Sequence, residues 1–133
     1  MKRLDSTTLV SGQIAPEEIA ALGVSLIVNN RMEGEEPGQP TSAEMEGAAA
    51  AAGVAYLHIP VAGGFSEGQV EAMREALEST EGQVLAFCKS GTRSAYLWAL
   101  ARARMGDDAG ELIRKGAGAG YDLRPLLPYL TPR

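Results

Sequence analysis

The chain has 133 residues, 45% apolar and 22% charged, with a net charge of −5; this fits one domain with a real hydrophobic core. An acidic balance argues against a nucleic-acid binder, because phosphate backbones reward clustered Lys and Arg. No apolar run nears the ~20 residues that a membrane-spanning helix needs, so no membrane partner is expected.

The chain alternates short β-branched runs with Ala-rich stretches, the pattern of a βα-type sheet. Met1 to Asp5 lacks the apolar core of a secretory signal, so a cytoplasmic location is expected. Thr8 to Val10 reads as extended, and Pro16 and Gly23 bracket a helix over Pro16 to Leu22. Val24 to Val28 reads as a buried strand, and Arg31 to Pro40, rich in Gly, Pro and charge, as an exposed loop. Thr41 with Glu44 has capping-box form and opens an Ala-rich helix that Gly53 ends. Val54 to Val61 is the next strand, Ala62-Gly63-Gly64 a turn, and Ser66 with Gln69 opens a helix to about Ser79. Gln83 to Phe87 is a buried strand that delivers Cys88 into a helix from about Arg93 to Met105. Weaker helices are expected near Ala109 to Lys115 and Asp122 to Leu130. The intervening Gly116 to Gly120 reads as a turn, since no strand precedes it as a phosphate loop requires. Alternating strands and helices predict an α/β fold with a central, mostly parallel sheet covered on both faces.

Cys88-Lys89-Ser90-Gly91-Thr92-Arg93-Ser94 carries the chemical signal. A loop leaving a parallel strand and feeding a helix aims backbone N–H groups at one point, and the helix dipole adds positive potential. An anion is stabilised there, and so is a thiolate, which predicts a depressed pKa for Cys88 and makes it the expected nucleophile. Gly91 gives conformational freedom and room for an oxyanion, and Arg93 a charged planar fork for sulfate- or phosphate-shaped groups. Thr92 and Ser94 place hydroxyls near the sulfur or a leaving group, while Lys89 adds charge and is expected to point outward. The bland alternative is a buried structural cysteine before an ordinary helix start. One cysteine and one histidine leave no internal disulfide, no CxxC pair and no Cys/His zinc site. No metal or organic cofactor is implied.

Val28-Asn29-Asn30-Arg31, Gly34 to Pro40, His58-Ile59-Pro60-Val61 and Phe87 to Ser94 resemble the phosphatase-like domain of β-lactamase-hydrolase-like proteins, a family often labelled sulfur transferases. The resemblance implies the fold of the dual-specificity phosphatases, with a sheet of about four to five strands and the Cys loop at its carboxyl edge. In some relatives this domain is fused to a persulfide dioxygenase, which implies sulfide detoxification. Two departures from the phosphatase pattern stand out. Phosphatases of that type have a His before the Cys and five residues between Cys and Arg, whereas Phe87 precedes Cys88 here and four residues separate it from Arg93. Rhodanese-type sulfurtransferases share the shorter spacing. Those phosphatases also carry an Asp general acid just after the strand that here ends Ile59-Pro60-Val61, where this chain has Ala62-Gly63-Gly64. Lacking a general acid forfeits a factor of about 10²–10⁴ for a poor leaving group, whereas thiolates and sulfite leave without protonation.

The expected function is therefore sulfur transfer through a Cys88 persulfide. The partners would be a small anionic donor, such as glutathione persulfide or thiosulfate, and an external thiol acceptor. A phosphatase using Cys88 and Arg93, with Glu67 or a loop residue as acid, is the alternative; a non-catalytic anion- or partner-binding domain is the third. Arg31 is a candidate for the pocket rim, against a plain salt bridge with Glu35 or Glu36. His58 is a candidate base, against a packed strand histidine.

Overall fold

The strands are the exposed, charged pair β1 (Lys2–Arg3) and four short, largely apolar runs, β2 (Thr8–Ser11), β3 (Leu26–Asn29), β4 (Ala55–His58) and β5 (Val84–Phe87). They are seen in a computed structural model that describes residues 1–131. One sheet runs in the order β1-β2-β5-β3-β4, parallel except for the antiparallel β1–β2 pair. The central strand, β5, is covered on both faces, and all four of its residues are apolar and buried. Its side chains alternate. Val84 and Ala86 join Val10, Leu26 and Val28 in one layer, while Leu85 and Phe87 join Ile27 in the other.

The first layer is closed by α2 (Glu67–Ser79), α3 (Thr92–Arg104), α4 (Ala109–Gly118) and the single turn α5 (Leu127–Leu130). The second is closed by a 3-10 helix over Pro16–Ala21 and by α1 (Ser42–Ala51). Both sequence-legible capping boxes form: the Thr41 hydroxyl accepts from the Glu44 N–H at 3.1 Å, and Ser66 does the same for Gln69 at 3.1 Å.

Several boundaries differ from the sequence expectation. The first helix is a tight 3-10 coil, and β4 is only four residues long, since Pro60 has no N–H to donate to a ladder. The chain beyond β4 stays tied to β3 regardless, with Ile59 N–H donating to Asn29 O and Val61 N–H to Asn30 O. The Gly116 to Gly120 turn is corrected: Gly116 to Gly118 complete α4, because Gly116 lets the helix lie against Leu123, where a Cβ would overlap that side chain. The helix expected over Asp122 to Leu130 is reduced to a 3-10 turn at Arg124–Leu126 followed by α5.

Parallel register places the site. Ser11 and Asn29 both lie level with Phe87, and Asn29 with His58, so four carboxyl ends share one sheet edge. Ligands of open α/β sheets gather at such an edge.

Candidate active site

Cys88 follows the last residue of β5 and is fully buried. Its N–H donates to Ser11 O at 3.2 Å, which prolongs the β2–β5 ladder by one bond and fixes where the loop departs. On the β2 side, Gly12 sits so close that a Cβ would come within 2.8 Å of Lys89 O. The loop then turns through Gly91, at φ 93°, into the first turn of α3. That left-handed angle favours glycine.

The turn points the Gly91 N–H at Cys88 Sγ, 3.1 Å away. Burial pushes the Cys88 thiol up, but the backbone N–H groups of Ser94, Ser90 and Gly91 outweigh it, and the net direction is downward from an ordinary thiol. The Ser94 hydroxyl has one proton, and it goes to Asn30 Oδ1 at 2.7 Å; Ser94 therefore faces the sulfur through its backbone. The first N–H groups of a helix have no partner inside the helix, so the start of α3 adds backbone donors on the side of the sulfur.

Arg93 stands beside these donors, at the first turn of α3. Its Nη1 donates to Glu35 Oε2 at 2.5 Å and Val61 O at 2.7 Å, and its Nη2 to Glu35 Oε1 at 2.8 Å. The pKa of Arg93 is raised, first by the Glu35 hydrogen bonds and also by Cys88. Three of its five N–H groups are used in this way. Among the described residues that leaves Nε–H and one Nη2–H, a pair spaced for two oxygens of one anion.

Glu35 is the hub of a partly buried ionic network. It accepts from Arg93, from Arg31 Nε at 2.9 Å and from the Met32 N–H at 3.0 Å. These bonds, the Arg93 one first, overcome the opposing effect of burial and hold its carboxyl at about 2 instead of 4.5. The loop that carries it is pinned by Gln39, which accepts from Glu35 N–H and donates to Met32 O, both at 2.9 Å.

The structure places Arg31 differently from an open rim. Only 1% of the residue is exposed, and its guanidinium is spent on Glu35, on Glu36 at 3.2 Å and on Gln13 Oε1 at 2.9 Å. The salt bridge is what is found. His58 is half-buried, with Nε2 2.7 Å from Arg31 O, a packed strand histidine at the end of β4. Glu67 is exposed and paired with Arg104, in the last turn of α3, whereas the Cys loop adjoins the first turn. The eleven helical steps from Arg93 to Arg104 rise about 16 Å. Lys89 points outward, with Nζ 3.9 Å from Glu36 Oε2, and the exposed Ser90 and Thr92 bond each other at 3.2 Å.

Three residues that sequence patterns passed over belong to this neighbourhood. Asn30 is fully buried and spans the site: Nδ2 donates to Ile59 O at 2.9 Å while Oδ1 takes the Ser94 hydroxyl. A polar pair ending an apolar strand, Asn29-Asn30, was the available signal. For Glu35 the sequence suggests only a salt bridge with Arg31 or a place in a solvated acidic loop, and nothing local announces a contact with Arg93. Tyr121 reaches the loop from beyond α4, with Oη 3.3 Å from Ser90 O. Among the described residues no cluster of three or more His, Cys, Asp or Glu has metal-binding form, and no helix is long and apolar enough to cross a membrane.

Comparison with known proteins gives this geometry a family. Residues 1–105 match the profile of the "Beta-lactamase hydrolase-like protein, phosphatase-like domain". A Beta-lactamase hydrolase-like protein of Xylella fastidiosa is 39% identical over 137 residues, covering 93% of this chain but 31% of its own length. The chain thus spans about a third of the curated relatives it matches. Among solved structures, a candidate phosphatase from Neisseria meningitidis superposes with a TM-score of 0.81 at 34% identity, covering 97% of this chain and 94% of the other. Human DUSP28 superposes with a TM-score of 0.64 at 23% identity, covering 98% and 92%, a likeness of fold alone. The fold is that of the dual-specificity phosphatases. The chain belongs to the family of phosphatase-like domains found in the β-lactamase-hydrolase-like proteins.

Proposed function

We propose that the chain is a cysteine-dependent hydrolase of the phosphatase class, acting on small phosphate esters whose leaving groups depart without protonation. One observation carries this: Cys88 Sγ accepts an N–H from the strand-to-helix loop, beside an arginine fork with two N–H groups to spare. The family name and the candidate phosphatase of Neisseria meningitidis support this chemistry ahead of the sulfur transfer expected from the sequence. The Cys88 thiolate attacks phosphorus, an S–P bond forms and the P–O bond to the leaving group breaks. Water then attacks phosphorus, releasing inorganic phosphate and restoring the thiolate. The loop N–H groups and Arg93 hold the equatorial oxygens through both steps.

Sulfur transfer remains a second reading because of a specific observation. The carboxylate nearest the arginine fork, Glu35, is held ionised at about 2 and has no proton to give at neutral pH. Ala62-Gly63-Gly64 supplies none either. In this chemistry the thiolate attacks the outer sulfur of a persulfide, the S–S bond breaks, and a thiolate leaves unprotonated. A second thiol then takes the sulfur from Cys88 and restores its thiolate.

Intact-protein mass spectrometry after acid quench separates the two. An aryl phosphate should leave a Cys88 adduct of roughly 80 Da, absent in Cys88→Ser, while glutathione persulfide would leave roughly 32 Da. A persulfide adduct without Cys88-dependent aryl phosphate hydrolysis overturns the phosphatase proposal. Neither adduct, with anion binding kept in Cys88→Ser, makes the domain a binding module.

A further inference from the structure

We propose that Tyr121 is a positioning residue for the Cys88 loop, its phenol fixing the peptide unit between Ser90 and Gly91, whose N–H faces the sulfur. The residue lies outside the span 1–105 shared with the family profile and comes from the segment after α4. The inference rests on Cys88 working as a thiolate, which both chemistries above require.

The argument is in the two ends of one planar group. Tyr121 Oη donates to Ser90 O at 3.3 Å, and the Gly91 N–H donates to Cys88 Sγ at 3.1 Å. Ser90 C=O and Gly91 N–H belong to the same trans peptide, so they point in opposite directions. Holding the carbonyl outward holds the N–H inward. Hydrogen bonds in such a chain also polarise one another, so a donor on the oxygen strengthens the N–H as a donor to sulfur.

Gly91 makes this anchor necessary. With φ at 93° and no Cβ, its own sterics do little to fix the peptide that precedes it. A Cβ at Gly91 would overlap the Tyr121 hydroxyl, so the missing side chain is also what admits the phenol. Tyr121 is itself held: its N–H donates to Gly116 O at 2.8 Å, and Tyr96 Oη donates to the next carbonyl, Asp122 O, at 3.3 Å. Burial first, then the Cys88 charge, raises the Tyr121 pKa, which keeps the phenol protonated and a donor throughout the neutral range. The other charged groups near Cys88 are Arg93 on α3, which pairs with Glu35 and also faces the sulfur, and Lys89, turned toward Glu36.

Cys88 is the only cysteine, so its alkylation by iodoacetamide can be read on the intact protein from about pH 5 to pH 9 without interference. At pH 6, Tyr121→Phe should be alkylated about three-fold more slowly than wild type, the loss of one modest hydrogen bond to the thiolate. Tyr96→Phe, which frees the neighbouring carbonyl but not Ser90, should match wild type. Unfolding would expose Cys88 and speed the reaction, the opposite direction. An unchanged or faster rate in Tyr121→Phe, or an equal slowing in Tyr96→Phe, overturns the role of Tyr121 and leaves the thiolate intact. A wild-type Cys88 with the pH dependence of an ordinary thiol overturns both this role and the function proposed above.

Discussion

Replacing Glu35 by Gln removes one charge and keeps the shape, which isolates the electrostatic part of the network. Glu35 is held at about 2 instead of 4.5; at about 1.4 kcal/mol per pH unit that is about 3.5 kcal/mol as an upper bound. The Glu35 and Arg93 side chains are 19% and 22% exposed, so solvent screens part of it and about 1–2 kcal/mol is expected. For a chain of this length that lowers the melting temperature by about 4–8 °C at pH 7. The sign follows from a depressed carboxyl: the stabilisation is full above the unfolded value of 4.5 and disappears as pH falls toward about 2. Melting wild type and Glu35→Gln side by side from neutral to acid pH should therefore give two curves that converge below pH 4.5. Curves that coincide at neutral pH, or a gap that persists near pH 2, would refute the view of Glu35 as the charge hub.

Arg93→Lys keeps the charge but loses the fork, and kcat/KM with either substrate class should fall by about 10²–10³-fold, read in steady-state assays. Cys88 should be alkylated at a lower pH than a free thiol, since its pKa is lowered from the ordinary value; a rate that tracks free cysteine would contradict the role of the loop N–H groups. Asn30→Ala strands Ile59 O and the Ser94 hydroxyl in the interior and should cost about 1–3 kcal/mol in urea denaturation. Gly91→Ala forces a side chain into a left-handed angle and onto the Tyr121 hydroxyl; a loss of about 1–3 kcal/mol with slowed Cys88 alkylation is expected.

What the sequence made legible was local. Thr41 with Glu44 and Ser66 with Gln69 announce helix starts within four residues, and both starts form. The strand-Cys-Gly-Arg run likewise announces an anion loop, because the strand, the loop and the helix are consecutive. Arg31 was hard to place for the opposite reason. Charge density marks its segment as an exposed loop, yet carboxylates four and five residues on, together with Gln13 from the loop after β2, neutralise and bury it. The contact between Glu35 and Arg93 spans 58 positions and that between Tyr121 and Ser90 spans 31. Both depend on how loops meet at the sheet edge, which no periodicity encodes. Gly116 reads as a turn residue because its role in the helix is set by a distant neighbour, Leu123, against which it lies.

The tail of the chain has a practical corollary for the longer relatives. Leu112, Ala119, Leu123, Leu126 and Leu130 all lie beyond the span that the family profile recognises, yet each is part of the larger apolar core. A recombinant fragment trimmed at residue 105 would uncover the face of α3 that these five residues shield, and would also remove Tyr121 from the back of the Cys loop. Excision boundaries drawn from sequence similarity alone would thus yield sticky, poorly reactive protein, and such a fragment's inactivity would say nothing about the enzyme.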